Sequence, residues 1–242
     1  MPEKTIEINS FSEFHEKIKN DIKKNEKEDT KKNYIFRGVT DADYELIPKI
    51  GRKINAQSIP DKDKLTFEKN ILNAFKQQAI PYNNKYIPKN DWEWLALAQH
   101  HGLATRLLDW SRNPLVALYF AVEEPFNGNS AVYVYTLEEP PISIEKNPDP
   151  FALTKVVEYV PSNFTKRIIA QSGIFTVHNE PEKNFESSNI YKIIIPHDIR
   201  EDLKTTIYRY GISRASLFPD MDGLAAHIDW QIEKKWIMNN HY

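Results

Sequence analysis

Trp92-Glu93-Trp94-Leu95-Ala96-Leu97-Ala98-Gln99-His100-His101-Gly102-Leu103-Ala104-Thr105-Arg106-Leu107-Leu108-Asp109-Trp110 threads five polar groups through tryptophans and leucines. These are Gln99, His100, His101, Arg106 and Asp109. A buried amide or charge without a partner is costly, so the five must satisfy one another or face a ligand. Trp92, Trp94, Leu95, Ala96, Leu97 and Ala98 are apolar around the whole helical wheel, the pattern of a buried helix rather than a surface one. Asp91 can cap it and Gly102 stops it. On this helix Gln99 continues the Trp92–Leu95 face and His101 the Trp94–Ala98 face.

Beyond it, Asn113-Pro114 offers an N-cap followed by proline at the first helical position. Leu115, Leu118, Tyr119 and Val122 form one stripe, with Val116, Ala117, Phe120 and Ala121 filling most of the rest. That predicts a second buried helix. The connection Leu103–Arg112 reads as a buried polar loop, too short for a domain linker, so both helices belong to one core.

The flanks extend the picture. Ser10-Phe11-Ser12-Glu13 reads as a capping box, with Phe11, Phe14 and Ile18 at helical spacing behind it. Lys19 to Lys32 is a solvated charged run. Asn33–Val39 is a short apolar strand interrupted by Arg37, and a helix is expected over about Lys62–Ala79, carrying Leu65, Phe67, Ile71, Leu72 and Phe75. Strands are expected at Ser130–Leu137, Val156–Val160, Ile174–His178 and Ile190–Ile195, where β-branched and aromatic residues gather. Asp198-x-x-Glu201 opens an amphipathic helix that Gly211 stops, and a last helix spans Met221–Met238. The expected fold class is α+β: a single compact domain, a mixed or antiparallel sheet, two buried helices and peripheral amphipathic helices. Residues 1–32 supply a helix and charged connector; residues 33–242 form the main domain.

The chain has 242 residues, a formal net charge of -2 and no cysteine. Disulfides, thiolate zinc sites, iron–sulfur clusters and cysteine nucleophiles are excluded together. The balanced charge argues against a broad nucleic-acid surface. No leader-like apolar segment opens the sequence and no apolar run reaches membrane-spanning length, so a cytoplasmic protein with no membrane contact is expected.

Only eight of the 32 basic residues are arginine, and Arg37 and Arg106 sit in apolar context. Arginine suits sites where a planar fork meets carboxylate, phosphate or an aromatic face. An internal pair of Arg106 or Arg37 with Asp109 is the plain alternative. His100 and His101 diverge by about 100° on a helix, and no further ligand spacing accompanies them, so no metal is expected. Thr105, Ser111 and Ser172 lack a nucleophile-elbow context. A phosphate-cradling glycine loop is absent.

Tyr34-Ile35-Phe36-Arg37-Gly38, followed by Gln99 through Ala121, closely resembles the FRG domain family, named for its Phe-Arg-Gly motif. Gln171–His178 and Leu217–Leu224 also resemble its pattern, so the likeness runs over roughly Asn33–Leu224. The resemblance implies a bacterial or phage setting, with several members in defence or toxin contexts. More distantly, Phe36-Arg37-Gly38 is similar to the first strand of arginine–serine–glutamate ADP-ribosyltransferases, whose arginine holds NAD phosphates. Ser111 ahead of Ala117-Leu118-Tyr119-Phe120 loosely matches their central serine motif. Their later-strand glutamate has no counterpart near Arg167–Val177, where Gln171 stands; Glu158 and Glu180 lie only at a distance.

Two readings follow. In one, the protein is an enzyme on a nucleotide-type anion, with NAD as the cofactor candidate. Arg37 and Arg106 grip phosphate, Trp110 stacks on a ring, and His101 or Gln99 orients the reacting group, these two being the catalytic candidates. Gly38, His100, Thr105, Asp109 and Ser111 complete the ligand-binding set. In the other, the same residues form a ligand-sensing or protein-binding pocket without turnover. On either reading, Arg37, Gln99, His101, Arg106 and Asp109 should converge on one concave surface; a network that only knits the core would leave them separated.

Overall fold

A computed structural model describes residues 4–27, 33–82, 87–161 and 166–234. Its strands are β1 (Lys4–Glu7), β2 (Asn33–Val39), β3 (Leu107–Ser111), β4 (Ser130–Leu137), β5 (Val157–Tyr159), β6 (Gly173–Val177) and β7 (Ile190–Ile195). They form one sheet in the order β1-β7-β4-β2-β3-β6-β5. Only β1 with β7 is parallel; the other pairings are antiparallel. The helices are α1 (Phe11–Lys27), α2 (Lys49–Ala56), α3 (Asp61–Ala79), α4 (Asp91–His100), α5 (Pro114–Val122), α6 (Lys166–Ala170), α7 (Arg200–Arg209), α8 (Arg214–Leu217) and α9 (Met221–Glu233). The fold is α+β with a mixed sheet, as the sequence predicts.

The two central helices form for the reasons anticipated, with one shift. Asn90, not Asp91, caps α4, its side chain accepting from the Glu93 amide at 3.0 Å. Gly102 follows the helix at φ +80, where a side chain would be strained. Asn113 caps α5, accepting from the Leu115 amide at 2.9 Å, and Pro114 opens the first turn. α5 carries the largest apolar cluster, with Val116, Leu118 and Ala121 against Phe36, Val132 and Ile193 of the sheet and Phe14 of α1. α4 packs Trp92, Leu95 and Ala96 against Leu107, Phe175 and Tyr159 of the other end of the sheet.

Several features depart from expectation, the short helices α6 and α8 among them. The connection between α4 and α5 is not a loop throughout: Leu107–Ser111 is β3, a strand in the middle of the sheet, pairing with β6 at five positions. Its neighbours bury it on both faces except at Asp109, which hides the alternation that marks a one-sided strand. The N-terminal segment contributes the edge strand β1 beside its helix. α2 was not anticipated, although Ile50 and Ile54 stand four apart and are buried. A 3-10 turn, His197–Ile199, precedes α7, which starts at Arg200 with no side-chain cap where a box from Asp198 was expected. The expected end of the last helix at Met238, and residues 28–32 of the charged run, lie outside the described residues. Among those residues no helix is long and apolar enough to cross a membrane.

Candidate functional site

The sheet is almost split in two. β2 pairs with β4 over seven positions, but with β3 only through Phe36 and Ser111. Beyond that rung the strands part, and a cleft of about 890 Å³ opens over the gap. Its walls include the end of α4, α5 and α6, with the chain from Thr40 to Ile47 at the rim.

Arg37 sits at the gap. Its Nη1 donates to the backbone carbonyl of Asp109 at 2.6 Å, where a strand partner would otherwise bond, and lies 3.9 Å from the Asp109 carboxylate. Its Nε is buried and has no hydrogen-bond partner. Burial works against the guanidinium's charge and Asp109 works for it. Gly38 is where α5 crosses β2: a Cβ there would fall 1.9 Å from the Ala117 carbonyl oxygen. Gly38 thus lets a helix lie directly on the strand that bears Arg37.

Asp109 is held by a chain of side chains. The Thr105 hydroxyl accepts from the Leu107 amide at 3.1 Å and donates to Gln99 Oε1 at 2.7 Å. Gln99 Nε2 in turn donates to Asp109 Oδ2 at 2.7 Å. Thr105 is buried, whereas the Asp109 side chain is 60% exposed. Asp109 Oδ1 has no hydrogen-bond partner among the described residues. His100 lines the cleft as a neutral imidazole, its pKa pushed down to about 4 by burial, then by His101 and Arg167.

Other predicted residues lie elsewhere or serve the scaffold. His101 caps the end of α4, is exposed and does not line the cleft. Arg106 is buried away from it: Nε and Nη2 donate to both oxygens of Glu68 at 2.8 and 2.7 Å, Nη1 donates to the Pro150 carbonyl, and Phe151 stacks beneath. Its fork has nothing left for phosphate. Trp110 borders the gap but is 3% exposed, its Nε1 donating to Thr176 Oγ1, so its ring is unavailable for stacking. Ser111 Oγ donates to the Gln171 carbonyl and accepts from the Asn113 amide, shaping the turn into α5. Arg37, Gln99 and Asp109 therefore converge; His101 and Arg106 do not.

Residues that sequence reasoning passed over complete the walls. Arg167 of α6 stacks on Phe218 at 4.3 Å and has no ion-pair partner among the described residues. Arg52 of α2 also lines the cleft, donating to the Ile47 carbonyl. The scarcity of arginine was the available signal for both. Against Arg37, Arg52 and Arg167 stand Asp43, Glu45, Asp109, Glu123 and Glu124, so the lining has an excess of acid. Glu123 is occupied by Arg214 and by the Tyr119 hydroxyl. Glu158, the distant carboxylate, accepts from Tyr135 and lies outside this cleft. No group of three histidine or carboxylate side chains suited to a metal occurs among the described residues.

The segment that builds most of this arrangement has a family match. Residues 32–130 match the FRG domain. The FRG match runs from β2 to the start of β4 and contains Arg37, Gln99, Thr105 and Asp109. It stops short of Arg167 and of the Gln171–His178 and Leu217–Leu224 stretches. No curated protein and no solved structure matches the chain.

Proposed function

We propose that the gap between β2 and β3 binds a nucleotide-type anionic ligand resembling NAD, and that the protein acts on it as an ADP-ribosyltransferase-like or NAD-cleaving enzyme in bacterial or phage defence or toxin biology. The observation that carries this reading is Arg37: an arginine in a sheet gap, with an unsatisfied buried Nε, beside an open cleft. A buried donor without a partner is a standing cost, and the guanidinium that bears it is one-fifth exposed with a single hydrogen bond among the described residues, to the Asp109 carbonyl. The volume falls in the range of small-molecule sites and suits a dinucleotide. Arg167 and Arg52 replace Arg106 as the further cations for phosphate.

The excess of acid, and the lack of a carboxylate on β6, favour a second reading: a non-catalytic pocket that senses a ligand or binds a protein partner. Calorimetry with NAD, together with an assay for released nicotinamide, separates the two. We expect wild type to bind NAD and Arg37→Ala to bind it at least about tenfold more weakly, the loss of one charge-assisted contact. Equal binding by Arg37→Ala removes the phosphate grip. NAD bound without turnover selects the sensing reading.

A further inference from the structure

The carboxylate that the transferase comparison lacks on a later strand has a substitute in the cleft. We propose that Asp109 is the catalytic carboxylate, with Gln99 and Thr105 as its positioning residues, and that the substrate carries a cationic ring next to its phosphates, as oxidised NAD does. This inference rests on the NAD-like reading of the cleft.

Three observations support it. First, both ends of Asp109 are clamped: its carbonyl by Arg37 Nη1 at 2.6 Å and its Oδ2 by Gln99 at 2.7 Å. The Gln99 amide is itself fixed, because Thr105 donates to its oxygen and thereby turns its NH₂ toward Asp109. An exposed carboxylate gains little stability from such an arrangement, since surface contacts contribute weakly. What the relay does supply is a fixed direction for the free Oδ1. Second, Glu123 is held by Arg214, and Glu68 and Glu158 lie outside the cleft; Asp43, Glu45 and Glu124 also line it, but among the described residues no side-chain hydrogen bond orients their carboxylates as Gln99 orients Asp109. Third, the acid excess of the lining repels a purely anionic ligand. It favours one with a positive pole at Asp109 and phosphates toward Arg37, Arg52 or Arg167.

The step is a heterolysis. The bond between the ribosyl carbon and the ring nitrogen breaks, and its electron pair neutralises the cationic ring, which leaves as nicotinamide. The positive charge passes to the ribosyl oxocarbenium, which the Asp109 carboxylate stabilises. The oxygen of water, or of an acceptor, then bonds to that carbon and gives its proton to Asp109, which returns it to solvent.

The test compares wild type, Asp109→Asn, Thr105→Val and Thr105→Ser. Binding of oxidised and of reduced NAD is measured by calorimetry, nicotinamide release by turnover, and folding by thermal midpoint. Wild type should bind oxidised NAD at least about fivefold more tightly than the reduced form, in which the ring is neutral. Asp109→Asn should abolish that preference and lower nicotinamide release at least about a hundredfold, the usual scale for losing one transition-state contact. Thr105→Val should lower turnover with NAD affinity unchanged, and Thr105→Ser should restore it. Asp109→Asn with turnover intact, equal binding of both NAD forms by wild type, or NAD bound without nicotinamide release overturns the inference. If wild type binds no NAD, the reading of the cleft fails first, a result distinct from turnover that ignores Asp109.

Discussion

Arg37 and Arg106 are similar residues in similar sequence surroundings, and the structure gives them opposite occupations. Arg106 meets a carboxylate through both arms of its fork, adds a carbonyl, rests on an aromatic ring and is 3% exposed. Arg37 has one short bond to a carbonyl, a carboxylate at 3.9 Å, a bare Nε and a cleft beside it. Burial together with full hydrogen bonding marks the structural arginine. Partial satisfaction next to an opening is what singles out Arg37, and the proposed ligand contact rests on that difference. Neither apolar context nor residue type separates them.

The contrast can be tested in order of effect. Arg106→Ala should be the most damaging, leaving the Glu68 carboxylate buried and unpaired at a cost of about 3–5 kcal/mol in urea unfolding. Replacing Glu68 and Arg106 together with leucine should recover much of that loss; a double variant as unstable as the single would show that the pair has another role. Gly38→Ala should cost about 1–3 kcal/mol, since α5 must move off β2, and should weaken NAD binding by shifting the Arg37 strand.

Acid should act on the core side of the comparison. His178 is buried next to Phe185 and shares a hydrogen bond with Thr176 Oγ1 at 2.9 Å. Because Trp110 can only donate to that oxygen, the Thr176 hydrogen is free for His178 Nε2, which favours a neutral ring. Burial, then Arg37 and Arg106, lower its pKa to about 3. A folded-state pKa below the ordinary histidine value means the unfolded chain binds more protons, so the stabilisation is fully present above about pH 6.5 and is lost as pH falls toward 3. Unfolding from pH 6.5 to 5 should show a slope of up to about 1.4 kcal/mol per pH unit from this group, and His178→Gln should remove that share while leaving the one His100 contributes. Smallest in stability is Arg37→Ala, expected to change unfolding by less than about 1 kcal/mol while weakening NAD binding at least about tenfold. A large destabilisation there would place Arg37 with Arg106 as a structural residue.

The two central helices could be read from sequence because each pairs an apolar wheel with a boundary signal, Gly102 after α4 and Asn113-Pro114 at the start of α5, a combination with few alternative structures. β3 could not, since burial on both faces removes the period-two pattern and its one exposed residue, Asp109, looks like a loop residue. The convergence of Arg37, Gln99 and Asp109 was legible as polar groups needing partners. The fate of Arg106 was not: its partner Glu68 is 38 residues away on α3. Even so, Glu68 stands one helical turn before the buried Leu72, a carboxylate on the inward side of an apolar stripe. Arg167 falls outside the FRG match and reaches the cleft only through the pairing of β6 with β3.

The lone Phe36–Ser111 rung has a mechanical consequence. It divides the sheet into a leaf of β1, β7, β4 and β2 and a leaf of β3, β6 and β5, each with its own ladder. Across that corner the backbone supplies one pairing, so the spacing of Arg37 on one leaf and Asp109 on the other is set by the bond from Arg37 to the Asp109 carbonyl and by side chains packed across the divide, Ile35 and Tyr133 against Leu108, Trp110 and Ile174.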